Sequence, residues 1–499
     1  MKTTFSLLIA LLVSTSIFAQ SEKEKVISTV DKNTIQGHIY FLADDLLKGR
    51  ETGTAENKIA ASYLANTLRS YGVKPNPKTG TYYQEVTLLK VEPPKRMTLS
   101  IDGKEVKKKV ALQARKLNFT GDAVYLGYGL EEDYKGKDVH KKMVIIKGGG
   151  PDNKGPRGAF RLRKQKAELA KNAGAAGVIE LIKSDTEIWS FIDHNFNAPS
   201  LEVAKNKEEY AKENGQLGYL WIHDEYGSIA KEMETGKHSV KLNMTGSNKF
   251  EIKSQNVVGV VEGTDPDLKN EYIIYSAHYD HVGVGAPDET GDVIYNGARD
   301  NAVGTTTVLS MAQSMAKYPT KRSALFILFT GEEKGLLGSR FYVDNPVLPL
   351  NQMVYCFNSD NGGYNDTSLA TIIGLSRTTA AQNIKDAVAT FDLTAIDDPA
   401  PEQGLFDRSD NVNFAAKGIP APTFSLGFRS FDGDVTKYYH QPGDHADNMD
   451  YDYLEKFFRA YVLAGRMIAN DPVTPFWTSG DKYEEAGKKL YKINSIKRN

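Results

Sequence analysis

Tyr272-Ile273-Ile274-Tyr275-Ser276-Ala277-His278-Tyr279-Asp280-His281 is the stretch on which the reading of this chain turns. Its first half is apolar without alternation, the pattern of a strand covered on both faces. It ends in two histidines and an aspartate. The same pattern recurs on either side. Residues 257–261, 324–329, 352–357, 369–373 and 421–426 read as further strands, and 305–315 and 451–468 as helices. Strands this apolar need cover on both sides, so the expected fold is α/β, a mixed central sheet sandwiched by helices.

Open α/β sheets build their sites beyond the carboxyl ends of strands, and this chain places its reactive side chains there. Asp300-Asn301 precedes the helix at 305. Glu332-Glu333 follows the strand ending at 329, and Asp360 follows the one ending at 357. His440 lies in Tyr438-Tyr439-His440-Gln441-Pro442, shortly before Asp444 and His445. His278, Asp300, Glu333, Asp360 and His440 would supply two imidazoles and three carboxylates, a donor set suited to two zinc ions sharing a bridging carboxylate. Glu332, fixed beside Glu333, is placed to move a proton between water and a leaving amine. Asp280 is placed to orient His278.

Composition supports the histidine and carboxylate chemistry. The 499 residues hold 62 Lys+Arg, 63 Asp+Glu and one cysteine. A net charge of -1 leaves no electrostatic footprint for nucleic acid. One cysteine excludes an intrachain disulfide and a zinc site built on several thiolates. Cys356 lies in an apolar run and reads as a buried strand residue. Of the nine histidines, His38, His140, His194, His223 and His238 fall outside any ligand pattern, and His281 and His445 read as polar neighbours of the motif. Tyr438 and Tyr439 read first as a packed aromatic pair, with oxyanion stabilisation as the alternative. Gly148-Gly149-Gly150 and Val282-Gly283-Val284-Gly285 lack the flanks of a phosphate loop and read as turns.

The ordered set His278-x-Asp280, Asp300-Asn301, Glu332-Glu333-Lys334-Gly335-Leu336-Leu337-Gly338-Ser339, Asn358-Ser359-Asp360 and Tyr439-His440-x-x-x-Asp444 resembles the dinuclear zinc aminopeptidases of peptidase family M28. Ser409-Asp410-Asn411, Phe414 and Gly418-Ile419-Pro420 are similar to the same family. The resemblance implies His278 and Asp360 on one zinc, Glu333 and His440 on the other, Asp300 as the bridge and Glu332 as general base. It also implies a cis peptide at Asp300-Asn301. The reaction implied is attack of a dizinc-bound water on a peptide carbonyl, releasing an N-terminal residue from peptide or protein substrates. The alternatives are a carboxypeptidase or a glutaminyl-cyclase-like acyltransferase on the same scaffold, and a catalytically inactive binding protein.

Around this core, residues 1–19 have the layout of a secretory signal peptide: one lysine, a short apolar run and a small residue before a polar start. That implies a bacterial periplasmic or extracellular protein without a membrane anchor. Residues 20–90, with a turn-rich break at Gly49-Arg50-Glu51-Thr52-Gly53, read as the first part of the catalytic domain. The stretch Leu42–Gly53, with Asp44, is similar to secreted members of the family. Residues 91–248 read as an inserted, smaller β-rich domain. Its segments 124–129, 141–146 and 173–179 resemble a protease-associated (PA) domain. Residues 249–470 form the main catalytic part and 471–499 a polar tail. Oligomeric state, side-chain preference and the group that binds the substrate amine are not legible.

Overall fold

The computed structural model describes residues 20–113, 116–204, 217–245 and 249–493. Residues 1–19 and a charge-rich stretch at 205–212 lie outside them. The chain divides into two compact units, Met1–Glu85 with Gln255–Asn499, and Val86–Ser254.

The first unit is built on a mixed sheet whose strands run, from one side, Thr394–Ile396, Leu369–Ile373, Thr423–Leu426, Met353–Ser359, Tyr272–His278, Ser323–Phe329 and then Lys249–Val261, which enters this unit at Gln255. Tyr272–His278 is parallel to both neighbours, pairing Ser276 with Asn358 and His278 with Phe329. Val257–Val261 and Leu369–Ile373 pair antiparallel at their places in the order. The sheet is therefore mixed, with a parallel centre.

Strand alternation explains why these sequences are apolar throughout. Ile273, Tyr275 and Ala277 enter one core with Phe326 and Leu328, while Ile274 enters a second core with Leu325 and Ile327. Every position faces a core, and each fully buried side chain of this size contributes roughly 1.5–3 kcal/mol. The first core is closed by the helices Lys32–Leu42, Ala55–Ser70, Gly304–Lys317 and Tyr451–Asn470, the second by Leu337–Asp344 and Asn411–Ala416. Helix starts carry the expected caps: Asp31 accepts from the Thr34 N–H, and Asp450 from those of Asp452 and Tyr453. His38 is a packing residue, with its two ring nitrogens 2.7 and 2.9 Å from the hydroxyls of Tyr63 and Tyr71. Cys356 is fully buried in its strand.

Two stretches differ from their sequence reading. Residues 283–284 form a short strand paired with Ile294–Tyr295 rather than a free turn. The segment after Asn470, read as a polar tail, is packed through residue 493. Trp477 is buried and donates to the Gly418 carbonyl at 2.9 Å, and Arg377 grips Asp481 with two hydrogen bonds of 2.7 and 3.0 Å. Its anchors, Phe476, Trp477, Tyr483 and Tyr491, follow neither helical nor strand spacing, so periodicity does not reveal them.

The second unit holds an eight-stranded mixed sheet, with Leu117–Tyr125, Met143–Lys147, Gly177–Ile182 and Gly218–His223 parallel at its centre. The helices Gly155–Asn172, Thr186–Phe196 and Ser228–Met233 accompany it. At its core Lys166 and Glu180 form a fully buried ion pair of 2.5 Å. Tyr219 and Trp221 donate to the other Glu180 oxygen, so the pair is fully satisfied. No helix among the described residues is long and apolar enough to cross a membrane.

Candidate metal centre

The three central parallel strands deliver their ends to one place. His278 is the last residue of its strand, Asp360 follows Ser359 directly, and Glu332 and Glu333 follow Phe329 after a two-residue turn. Asp300 and Asn301 lie just before the helix Gly304–Lys317 and are joined by a cis peptide. His440 enters from a loop with φ of +52°, a left-handed conformation costly for a residue with a Cβ.

The five residues proposed as ligands come together in two overlapping groups. His278 Nε2 lies 3.2 Å from Asp360 Oδ1 and 3.3 Å from Asp300 Oδ1. His440 Nε2 lies 3.1 Å from Asp300 Oδ2 and 3.1 Å from Glu333 Oε2. Asp300 thus belongs to both groups and turns a different oxygen to each.

Bare carboxylates facing the acceptor nitrogen of an imidazole would repel it, so each gap needs a proton or a cation. Without a metal, the charges are shared out among the side chains. Burial opposes a charge on His440, but Glu333 and Asp300 hold its imidazolium up to about 10. His278 is likewise held well above its ordinary value by Asp360, Glu332 and Asp300 against its burial. Burial raises the carboxyls of Asp300 and Glu333, and the histidines outweigh it. Asp300 is held far below the usual range and Glu333 at about 2. The donor set and spacing also fit a metal. Ligands 2.0–2.1 Å from a tetrahedral zinc stand about 3.3 Å apart, close to the separations seen here. His281 Nε2 is buried without a hydrogen-bond partner among the described residues, and His440 Nε2, despite its two carboxylate neighbours, has the alignment of a hydrogen bond with neither.

Glu332 stands beside this set, and burial pushes its carboxyl well above the ordinary value, with Asp360 and Glu333 adding to the rise and His278 opposing it. Asp280 differs in detail from its sequence reading. The group bonded to His278 Nδ1 is the Asp280 backbone carbonyl, at 3.1 Å, while the carboxylate is 3.9 Å away. The Asp280 carboxylate instead accepts from the Thr52 hydroxyl at 2.8 Å and from the Glu332 N–H at 3.1 Å.

Several residues outside the proposed ligand set hold this arrangement. Asp444 accepts from the backbone N–H groups of Arg299 and Asp300 and pairs with the Arg299 guanidinium at 2.9 Å. His281 donates from Nδ1 to Glu333 at 2.7 Å. Its ring fits because residue 297 is glycine: a Cβ there would strike the Asp300 carbonyl and come 2.6 Å from the ring. Arg50 is buried and donates to the carbonyls of Leu42, Tyr279, Asn296 and Gly297, sewing the early helical segment to both site loops. The sequence signals were the turn-rich 49–53 break and the Asp444 spacing. His445, 3.6 Å from Asp292, stays outside the cluster, and Tyr438 packs under Arg299. The site opens into a cavity lined also by Arg408, Leu405, Phe428, Phe431 and Val435.

A mixed-sheet α/β fold with overlapping histidine–carboxylate groups at its parallel strand ends is the architecture of a metallopeptidase domain, and the comparisons with known proteins agree. Residues 256–464 match the model of peptidase family M28. The chain is 25% identical to aminopeptidase YwaD of Bacillus subtilis over 426 residues, covering 82% of this chain and 78% of the relative. It is 24% identical to a probable leucine aminopeptidase 2 of Aspergillus oryzae, covering 75% and 72%. The solved aminopeptidase of Aneurinibacillus sp. strain AM-1 shares the fold with a TM-score of 0.61 and 21% identity, over 90% of this chain and 98% of that one.

Proposed function

We propose that this chain is an exported two-zinc aminopeptidase that removes N-terminal residues from peptides. The observation that carries the reading is the position of Asp300, with Oδ1 3.3 Å from His278 Nε2 and Oδ2 3.1 Å from His440 Nε2. A carboxylate so placed would be shared by two cations. His278 and Asp360 would hold one zinc, Glu333 and His440 the other, and Asp300 both. Bound zinc supplies Lewis acidity toward the peptide carbonyl and brings the pKa of water down to about 7. Glu332 takes the proton of the attacking water and returns it to the leaving amine. Asp280 holds the Glu332 backbone, and Asp444 and the Asp280 carbonyl hold Asp300 and His278. The aminopeptidase names of the relatives support the release of N-terminal residues.

The export reading rests on the layout of residues 1–19. Residues 91–248, within the unit Val86–Ser254, are read as a protease-associated domain from their sequence segments, with the parallel-centred sheet of that unit as support.

The test is hydrolysis of leucine p-nitroanilide by the purified chain, with and without a chelator. Release abolished by chelator and restored by zinc is the expected result. No release from any aminoacyl nitroanilide would overturn the reading.

A further inference from the structure

The geometry points to Arg408 as the residue that pairs with a free carboxylate directly beyond the cleaved bond, which makes dipeptides the preferred substrate class. This rests on the aminopeptidase reading above. Arg408 is exposed and lines the same cavity as His278, Asp300, Glu332 and Asp360. Its Nη2 lies 3.4 Å from the Tyr439 hydroxyl, and the Tyr439 ring stacks on that of His440 with centroids 4.0 Å apart. The guanidinium therefore stands one phenol ring away from a proposed zinc ligand.

Among the described residues, no carboxylate lies within ion-pair distance of Arg408. Other arginines of this unit are committed: Arg299 to Asp444 at 2.9 Å, Arg377 to Asp481 at 2.7 Å and Arg429 to Asp366 at 2.5 Å. A guanidinium presents a planar fork that matches a carboxylate and pairs poorly with a neutral amide.

The rest of the wall decides on which side of the cleaved bond that carboxylate lies. Ile373, Leu405, Phe428, Phe431 and Val435 give the cavity an apolar side, suited to an apolar first side chain. An acidic first side chain would lose its hydration there without full repayment. The carboxylate left for Arg408 is the α-carboxylate of the second residue, two bonds beyond the scissile nitrogen. In a longer peptide an amide occupies that place.

The experiment compares kcat/KM for Leu-Ala, Leu-Ala amide and Glu-Ala amide in the wild type, Arg408→Met and Arg408→Lys, with leucine p-nitroanilide as the check on the aminopeptidase reading. The wild type is expected to prefer Leu-Ala over its amide by about 10- to 100-fold, the range for a charge-assisted hydrogen bond. In Arg408→Met that ratio falls toward one, mainly through KM, and Arg408→Lys recovers part of it. Equal rates on Leu-Ala and its amide in the wild type would overturn the proposal. So would a parallel fall on both substrates, which would place Arg408 behind Tyr439 instead. A selective loss on Glu-Ala amide would move the carboxylate to the first side chain and overturn the dipeptide assignment. Failure of the aminopeptidase reading looks different, since no substrate, the nitroanilide included, is then cleaved.

Discussion

The Asp280 carboxylate accepts the backbone N–H of Glu332 at 3.1 Å, so the general base proposed here is held by a carboxylate from the neighbouring strand end. The same carboxylate accepts from Thr52, 228 positions earlier in the chain. His278, by contrast, is oriented by the Asp280 main-chain carbonyl. Asp280→Asn keeps that carbonyl and is expected to keep zinc. It should lower kcat by about 10- to 100-fold, the usual cost of losing a group that supports a site, with KM nearly unmoved. Zinc analysis beside steady-state kinetics checks this, and loss of zinc in the variant would show that the carboxylate acts on His278.

Glu332→Gln keeps the shape of the side chain and removes its ability to take a proton. The expected outcome is full zinc content with turnover reduced by about 10²- to 10⁴-fold. A near-normal rate in this variant would remove Glu332 from the mechanism.

Asp300 is the one proposed ligand present in both groups, so its loss should be felt by both metals. Asp300→Ala is expected to lose zinc at both positions, whereas Asp360→Ala should spare the position of Glu333 and His440. Elemental analysis after dialysis separates these outcomes. Two ions per chain retained in Asp300→Ala would contradict the bridge.

His38 gives the stability of the first unit a definite pH dependence. Burial lowers its pKa from 6.5 to about 4. The unfolded chain therefore binds a proton between those values that the folded chain does not. Stability is full above 6.5 and falls as the pH drops toward 4, by about 3 kcal/mol in the limit. In urea titrations, His38→Phe should start less stable at pH 7, because the Tyr63 and Tyr71 hydroxyls lose their partner. It should also lose less stability than the wild type between pH 7 and 4.5. Equal slopes would show that His38 does not carry this dependence.

The central strands were legible because both faces are buried, which leaves continuous apolar runs at Tyr272–His278 and Ser323–Phe329. His278, Glu333 and Asp360 were legible because the ends of such strands concentrate them in short segments, and Asp300 and His440 through the motif residues around them. The supporting residues were not. Thr52 and Arg50 reach the site across more than two hundred positions, and His281 shows its contact with Glu333 only once two strand ends lie side by side. Asp280 was read in the right place, but its carboxylate and carbonyl divide two tasks that sequence cannot separate. The packed stretch after Asn470 escaped for a different reason: its anchoring aromatics have no regular spacing, although Trp477 is as buried as a core strand residue. Arg408 carried no signal because an arginine beside Ser409-Asp410 reads as a solvated surface charge until the cavity is seen.

The most direct test of the two-zinc assignment is anomalous diffraction at the zinc edge from crystals of the chain grown with zinc. Two peaks about 3.5–4 Å apart, with the Asp300 carboxylate between them, His278 and Asp360 on one side and Glu333 and His440 on the other, are the expected result. A single peak, or two peaks with Asp300 touching only one, would contradict it.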